Sequence, residues 1–165
     1  MNQKTIKRKY RQAERIEPKI TYQVENASCL CGLAMINTDY AIKSRKSYTK
    51  KVKAKMVREM LPQKAAMAKV KDLIRYTMLL KRYDKEELNK HVEKIIAYLI
   101  KAGYKFSEFR NYFEAPKKSG YKGCHLYFKT QEGIIFEIQI HTSETLYMKE
   151  KSHWVYKKET CLPND

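Results

Sequence analysis

The chain has 165 residues, enough for one domain with a real core and short for two. Its 43% hydrophobic content fits a globular protein, and no run of about 18 apolar residues exists to span a membrane. The formal net charge of +17 points to a polyanionic partner, a phosphorylated substrate or both, against the plainer alternative of a solvated basic surface.

The opening MNQKTIKRKYRQAER has no apolar stretch of the signal-peptide kind, and Glu14 and Glu17 without a nearby serine speak against a transit peptide. Cytoplasmic action is therefore expected. Residues 4–16 read as a basic helix that Pro18 ends, and 20–36, ITYQVENASCLCGLAMI, as a second, mostly apolar helix interrupted near Gly32. Residues 1–38 would then be a basic helical region packing on a domain spanning 39–158, with 159–165 as a tail. Cys29, Cys31, Cys124 and Cys161 lack a Cys/His pair at zinc-finger spacing and are expected as reduced, mostly buried thiols.

A helix is expected from about Ser44 to Met60, its buried stripe Tyr48, Val52, Met56 and Met60, with Pro62 breaking it. The charge concentrates here: between Lys43 and Arg82, fourteen Lys/Arg stand against Glu59 and Asp72, a net of +12. Residues 70–80, VKDLIRYTMLL, read as a core strand with Asp72 at its start. The clearest helix is 85–101, with Leu88, Val92, Ile95, Ile96 and Leu99 on one face and Gly103 just past its end. A strand follows over 104–114, then the loop 115–120.

Residues 121–142, YKGCHLYFKTQEGIIFEIQIHT, read as a hairpin whose register can be argued. The three-residue loop Gln131-Glu132-Gly133, glycine last, pairs Thr130 with Ile134, Tyr127 with Glu137, His125 with Gln139 and Gly123 with His141. All polar groups then share one face, whereas a two-residue loop would scramble both faces. A helix from about Ser143 to Lys158, capped by Thr142 or Ser143, completes the chain. The expected fold is α/β (α+β), a mixed sheet of about four to five strands flanked by helices.

Two carboxylates, Asp72 and Glu137, are the minimum equipment for holding magnesium against a polyphosphate. Lys43, Lys46, Lys50 and Lys51 are placed to line that polyphosphate, since phosphoryl-type transfer is mainly positioning and charge neutralisation. Lys117, Lys118 and the Gly120-Tyr121 turn would approach a second substrate, the tyrosine offering a flat platform for a base.

The strings IKSRKSYTKK, DLIRYT, GYKGCH and FEIQIHT, in that order, resemble the synthetase domain of RelA/SpoT-type proteins, which transfer pyrophosphate from ATP to a nucleotide 3′-hydroxyl. The resemblance covers about Asp39 to Tyr156, and DLIRYT with the closing HTSETLYMKEKSHWVY looks most like a divergent toxin-like and phage-associated branch. It implies that Lys43, Ser47 and Lys51, with Lys46 beside them, form the ATP-binding helix motif. Asp72 would bind magnesium, Tyr121 stack on the acceptor base and His125 lie near the acceptor. Glu137 would be the catalytic glutamate, activating the acceptor hydroxyl or helping hold magnesium, with Gln139 its companion.

Three positions depart from that pattern. Ala41 stands where the family usually has an arginine that stacks on or clamps ATP, which implies a different ATP grip or an inactive form. His141 stands where an arginine is common, on the acceptor side, and Arg75 where a small residue is usual. The implied partners are a nucleotide (GTP, GDP, ATP or ADP) or the 3′ end of tRNA as acceptor, and an acidic antitoxin or immunity protein; the oligomeric state stays open. The competing readings are a non-catalytic, basic RNA-binding or phage-associated domain of the same fold, and a different transferase using the same pocket.

Overall fold

The computed structural model describes residues 1–159, with side chains as far as Lys151. The expected tail therefore lies, except for Glu159, outside the described residues.

One helix, α1 (Gln3–Cys31), replaces the two expected before Gly32, and it runs straight through Pro18. A mid-helix proline loses one hydrogen bond and crowds the preceding turn, at a cost of about 3 kcal/mol. Pro18 is exposed, so the carbonyls it frees meet water, while the buried stripe Ile6, Ala13, Ile20, Val24, Ala27 and Cys31 continues on both sides of it. Packing along that stripe outweighs the local preference. Gly32, left-handed at φ 64°, ends α1 by donating to Cys29 O, and Leu33 N reaches Ser28 O. The next residues form strand β1 (Ala34–Ile36) rather than more helix, followed by a single 3₁₀ turn over Thr38–Tyr40.

Helix α2 (Arg45–Arg58) starts on Ser44, whose hydroxyl accepts from Ser47 N. Its buried stripe stops early: Tyr48 and Val52 are buried, Met56 is half-buried, and Met60, past the end at φ 49°, is 92% exposed. Beyond Pro62 lies a short helix that periodicity did not reveal, α3 (Gln63–Ala68). Strand β2 is Ile74–Leu80, shorter than expected at its start, so Asp72 sits in the approach to it. Helix α4 (Lys85–Lys101) agrees with the sequence reading and is capped by Asp84. Strands β3 (Lys105–Asn111), β4 (Cys124–Lys129) and β5 (Ile135–Thr142) and helix α5 (Ser143–Glu159) follow, with Thr142 Oγ1 accepting from Thr145 N at 3.3 Å as the cap of α5.

The five strands form one sheet in the order β1-β2-β5-β4-β3, with β2 and β5 parallel and the other pairs antiparallel. The hairpin register is the expected one: Tyr127 pairs with Glu137 and His125 with Gln139. Thr130 N donates to Ile134 O, and Gly133 takes φ 80° to close the loop. β5 is a central strand, so its polar face is not the wet edge of a sheet. Alternation sends Ile74, Tyr76, Met78, Phe136, Ile138, Ile140, Leu126 and Phe128 to one side. There α1 and α4 cover them, tied by Thr21 to the Tyr76 hydroxyl (2.9 Å) and by the Tyr98 hydroxyl to Gln23 (2.9 Å). The other side carries the polar set.

Candidate active site

Cross-strand pairing sets side by side Arg75 and Thr77 of β2, Glu137, Gln139 and His141 of β5, His125 and Tyr127 of β4, and Glu108 and Arg110 of β3. Above part of this face opens a cavity of about 540 Å³. His125, Tyr127, Glu137 and Gln139 form its floor, and Lys51, Lys55, Lys69, Lys71, Arg110, Lys117 and Lys149 surround it, with Asp72 and Tyr121.

Glu137 is 3% exposed and fully engaged. Its Oε1 accepts from the Tyr127 hydroxyl at 2.8 Å and lies 2.9 Å from His125 Nδ1, and its Oε2 accepts from Gln139 Nε2 at 2.9 Å. Burial alone would raise its pKa, but the hydrogen bonds from His125 and the Tyr127 hydroxyl outweigh burial and hold it below the ordinary value. The group is a carboxylate at neutral pH. The same carboxylate, after burial, pushes the Tyr127 hydroxyl up, so Tyr127 remains a donor.

Tyr121 joins the network from the loop before β4. Its hydroxyl lies 2.5 Å from His125 Nε2 and 3.1 Å from His141 Nε2. It folds this close to the sheet because residue 123 is glycine, at φ 151°: a Cβ there would stand 2.6 Å from His141 Cε1 and 3.2 Å from the Tyr121 hydroxyl. Lys117 Nζ sits 4.5 Å from the centre of the Tyr121 ring and 4.4 Å from that of Tyr112. Burial, then the charge of Lys149, lowers the His141 pKa to about 3, so the ring is neutral.

Asp72 faces the cavity from the approach to β2. Its Oδ2 accepts from Lys51 Nζ at 2.6 Å and lies 3.5 Å from Lys43 Nζ. Burial raises its pKa, but the charge on Lys43 and the Lys51 bond outweigh that, and it titrates below the ordinary range. Its Oδ1 is buried with no hydrogen-bond partner. Among the described residues no group of three or more His, Cys, Asp and Glu could hold a metal alone. Magnesium is commonly held by one or two carboxylates with substrate phosphates and water. The orphaned Oδ1, with Glu137 on the same cavity, fits that mode.

Of the residues singled out in the sequence, the structure brings Lys51, Asp72, Lys117, Tyr121, His125, Glu137 and Gln139 to one cavity. Lys43 joins it through Asp72. Lys46 and Ser47 are exposed in the first turn of α2 and Lys118 is exposed in the loop, none of them lining the cavity. His141 is completely buried behind Tyr121 and reaches the cavity only through it. Ala41 is also buried, 3% exposed in the apolar core, its carbonyl accepting from Arg75 N at 2.8 Å.

Sequence reasoning missed five cationic residues of the cavity wall, Lys55, Lys69, Lys71, Arg110 and Lys149. Lys71 and Arg110 flank Tyr127, 5.2 and 5.7 Å from its ring centre, and both pair with Glu108. The alternation of Glu108 and Arg110 carried that signal, but a register shift between Phe106 and Glu108 hides it from a simple count. Lys149, one turn after Thr145 on α5, donates to Gln139 Oε1 at 2.6 Å. Nothing in the pattern of that helix marks it.

The sequence pattern of the region found in RelA and SpoT proteins matches residues 41–161. No curated protein sequence matches the chain. Among solved structures, small alarmone synthetase 1 from Bacillus subtilis, bound to its product pppGpp, is similar with a TM-score of 0.69 and 16% identity, over 97% of this chain and 84% of that one. A GTP pyrophosphokinase family protein from Streptococcus pneumoniae gives 0.61 and 18%, over 94% and 77%. The Type VI effector Tas1, in complex with its immunity protein, gives 0.57 and 24%, over 87% and 64%. At these identities the likeness shows a shared fold.

Proposed function

The chain belongs to the RelA/SpoT family, and from that membership and the geometry of the cavity we propose that it is an ATP-dependent pyrophosphokinase of toxin-like type. It transfers pyrophosphate from ATP to the 3′-hydroxyl of a nucleotide or of the tRNA 3′ end, in the cytoplasm of the producing cell or of a target cell. The observation that carries this reading is the buried, hydrogen-bonded Glu137 on the same cavity as the half-orphaned Asp72, inside a wall of lysines.

The acceptor base lies on Tyr121 and its 3′-oxygen faces Glu137. That oxygen bonds to the β-phosphorus of ATP as the bridge between the α- and β-phosphates breaks and AMP leaves, the hydroxyl proton passing to the Glu137 carboxylate. A depressed carboxylate is a weak base, so the proton moves as the phosphorus–oxygen bond forms rather than ahead of it. Lys43 and Lys51, released from Asp72 by the incoming phosphates, and Lys55, Lys69 and Lys71 neutralise the triphosphate. Asp72, through its orphaned Oδ1, would hold Mg²⁺ together with the substrate phosphates, and the ion would supply further charge neutralisation there. Ala41 gives no guanidinium to clamp ATP, and its burial leaves no room to restore one by simple substitution. An acidic immunity protein or antitoxin matches the +17 charge.

Incubation with ATP labelled at the β-phosphorus and each of GTP, GDP, ATP, ADP and tRNA should move label to at least one acceptor, with equimolar AMP; transfer to none sinks the reading. The buried Ala41 favours a second reading, a non-catalytic RNA-binding domain. Salt-sensitive RNA binding unaffected by Asp72→Ala and Glu137→Ala, without transfer, would select it.

A further inference from the structure

Helix α5 touches the candidate site at two points one turn apart, Thr145 and Lys149, and each ends a chain of hydrogen bonds that leads to a residue facing the cavity. We propose that Thr145 and Lys149 are positioning residues: Thr145 acts through His141 to hold Tyr121, and Lys149 acts through Gln139 to hold Glu137. This rests on the pyrophosphokinase reading for its kinetic consequences, and on geometry alone for the contacts.

The direction of the first chain follows from what each group can donate or accept. A carboxylate only accepts, so His125 Nδ1, 2.9 Å from Glu137 Oε1, carries a proton. When His125 is neutral its Nε2 is then an acceptor, and the Tyr121 hydroxyl, 2.5 Å away, donates to it. The Tyr121 oxygen is left to accept from His141 Nε2 at 3.1 Å. His141, neutral in its buried place, then accepts at Nδ1 from Thr145 Oγ1 at 3.2 Å, the nearer of the two acceptors open to that hydroxyl, the other being the Thr142 carbonyl oxygen at 3.3 Å. Thr145 in turn accepts from the Thr142 main-chain N–H at 3.0 Å, which fixes the start of α5. With His125 neutral, one orientation thus satisfies every member from the backbone of α5 to Glu137.

The second chain is shorter and its direction is forced by charge. Lys149 only donates, so Gln139 must turn its oxygen toward the ammonium at 2.6 Å and its NH₂ toward Glu137 Oε2 at 2.9 Å. Without the ammonium the Gln139 amide could flip and set its oxygen against the carboxylate. The two residues therefore control different things. Thr145 holds the ring that would stack on the acceptor base, and Lys149 orients the group that would take the acceptor proton.

Two readouts test this. Steady-state transfer kinetics should separate the residues: Thr145→Val raises the acceptor KM by about 10-fold with kcat little changed, and Lys149→Met lowers kcat by about 10- to 100-fold with KM little changed. Thr145→Ser and Lys149→Arg, which keep the donors, should restore most of each loss. Mere loosening of α5 would move KM and kcat together in both variants, and that result overturns the proposal. Nitrogen-15 resonances of the His141 ring, read at about pH 8 where an ordinary histidine is neutral, report the contact without turnover. They should show one tautomer with the proton on Nε2 in the wild-type chain and a mixture in Thr145→Val. The same tautomer in both chains overturns the Thr145 arm even if transfer is seen. If the wild-type chain transfers nothing while the tautomer shift is found, the pyrophosphokinase reading fails and the positioning contact stands.

Discussion

His141 gives the fold a pH dependence that can be worked from its surroundings. Burial, with the nearby charge of Lys149, takes its pKa from 6.5 to about 3. The folded chain therefore keeps the ring neutral at pH values where the unfolded chain protonates it, and the unfolded state binds the extra proton. Stability must fall as pH drops below about 6.5 and stop falling, for this group, near 3. Each pKa unit of difference is worth about 1.4 kcal/mol, so the fold loses about 2 kcal/mol between pH 7 and pH 5 through His141 alone. His141→Gln keeps a polar group of similar reach and does not titrate. Urea unfolding at the two pH values should show a drop in the wild-type chain larger by about 2 kcal/mol than in His141→Gln, since the carboxylates that also titrate are common to both. An equal drop in the two chains would refute the buried, neutral histidine.

Glu137→Gln should reduce transfer by about 10²- to 10⁴-fold while leaving unfolding by urea within a few kcal/mol of wild type, read by single-turnover product formation. Asp72→Asn leaves Lys43 and Lys51 without their anion and weakens the phosphate end of the site; a fall in kcat of about 10²-fold or more, with the far-ultraviolet spectrum kept, is the expected result. Gly123→Ala drives a methyl group into His141 at 2.6 Å. It should cost about 1–3 kcal/mol in unfolding experiments and raise the acceptor KM by displacing Tyr121.

The hairpin was legible because its loop length and its alternation agree on one register, and Glu137, His125 and Gln139 fell on one face as that register requires. What alternation could not show is that β5 would be a central strand. The parallel pairing of β2 with β5 joins residues some sixty positions apart and turns a half-wet hairpin into a buried polar floor. The length of α1 was misread because the local effect of Pro18 is written in the sequence, whereas the stripe that overrides it spans several turns on either side. The α2 stripe was carried one turn too far to Met60, where nothing covers it. Lys51, Asp72 and Tyr121 were found by their chemistry and by family likeness; Lys71 and Lys149 were not, because a lysine among so many is conspicuous only once its neighbours are placed.

The central claim is that Glu137 directs pyrophosphate onto a 3′-hydroxyl. ATP labelled at the β-phosphorus, supplied with an acceptor that is used and with its 3′-deoxy analogue, tests it in one experiment. Label is expected on the 3′-hydroxyl acceptor with equimolar AMP, none on the 3′-deoxy analogue, and little in Glu137→Gln. Equal labelling of the two acceptors, or undiminished transfer by Glu137→Gln, would contradict it.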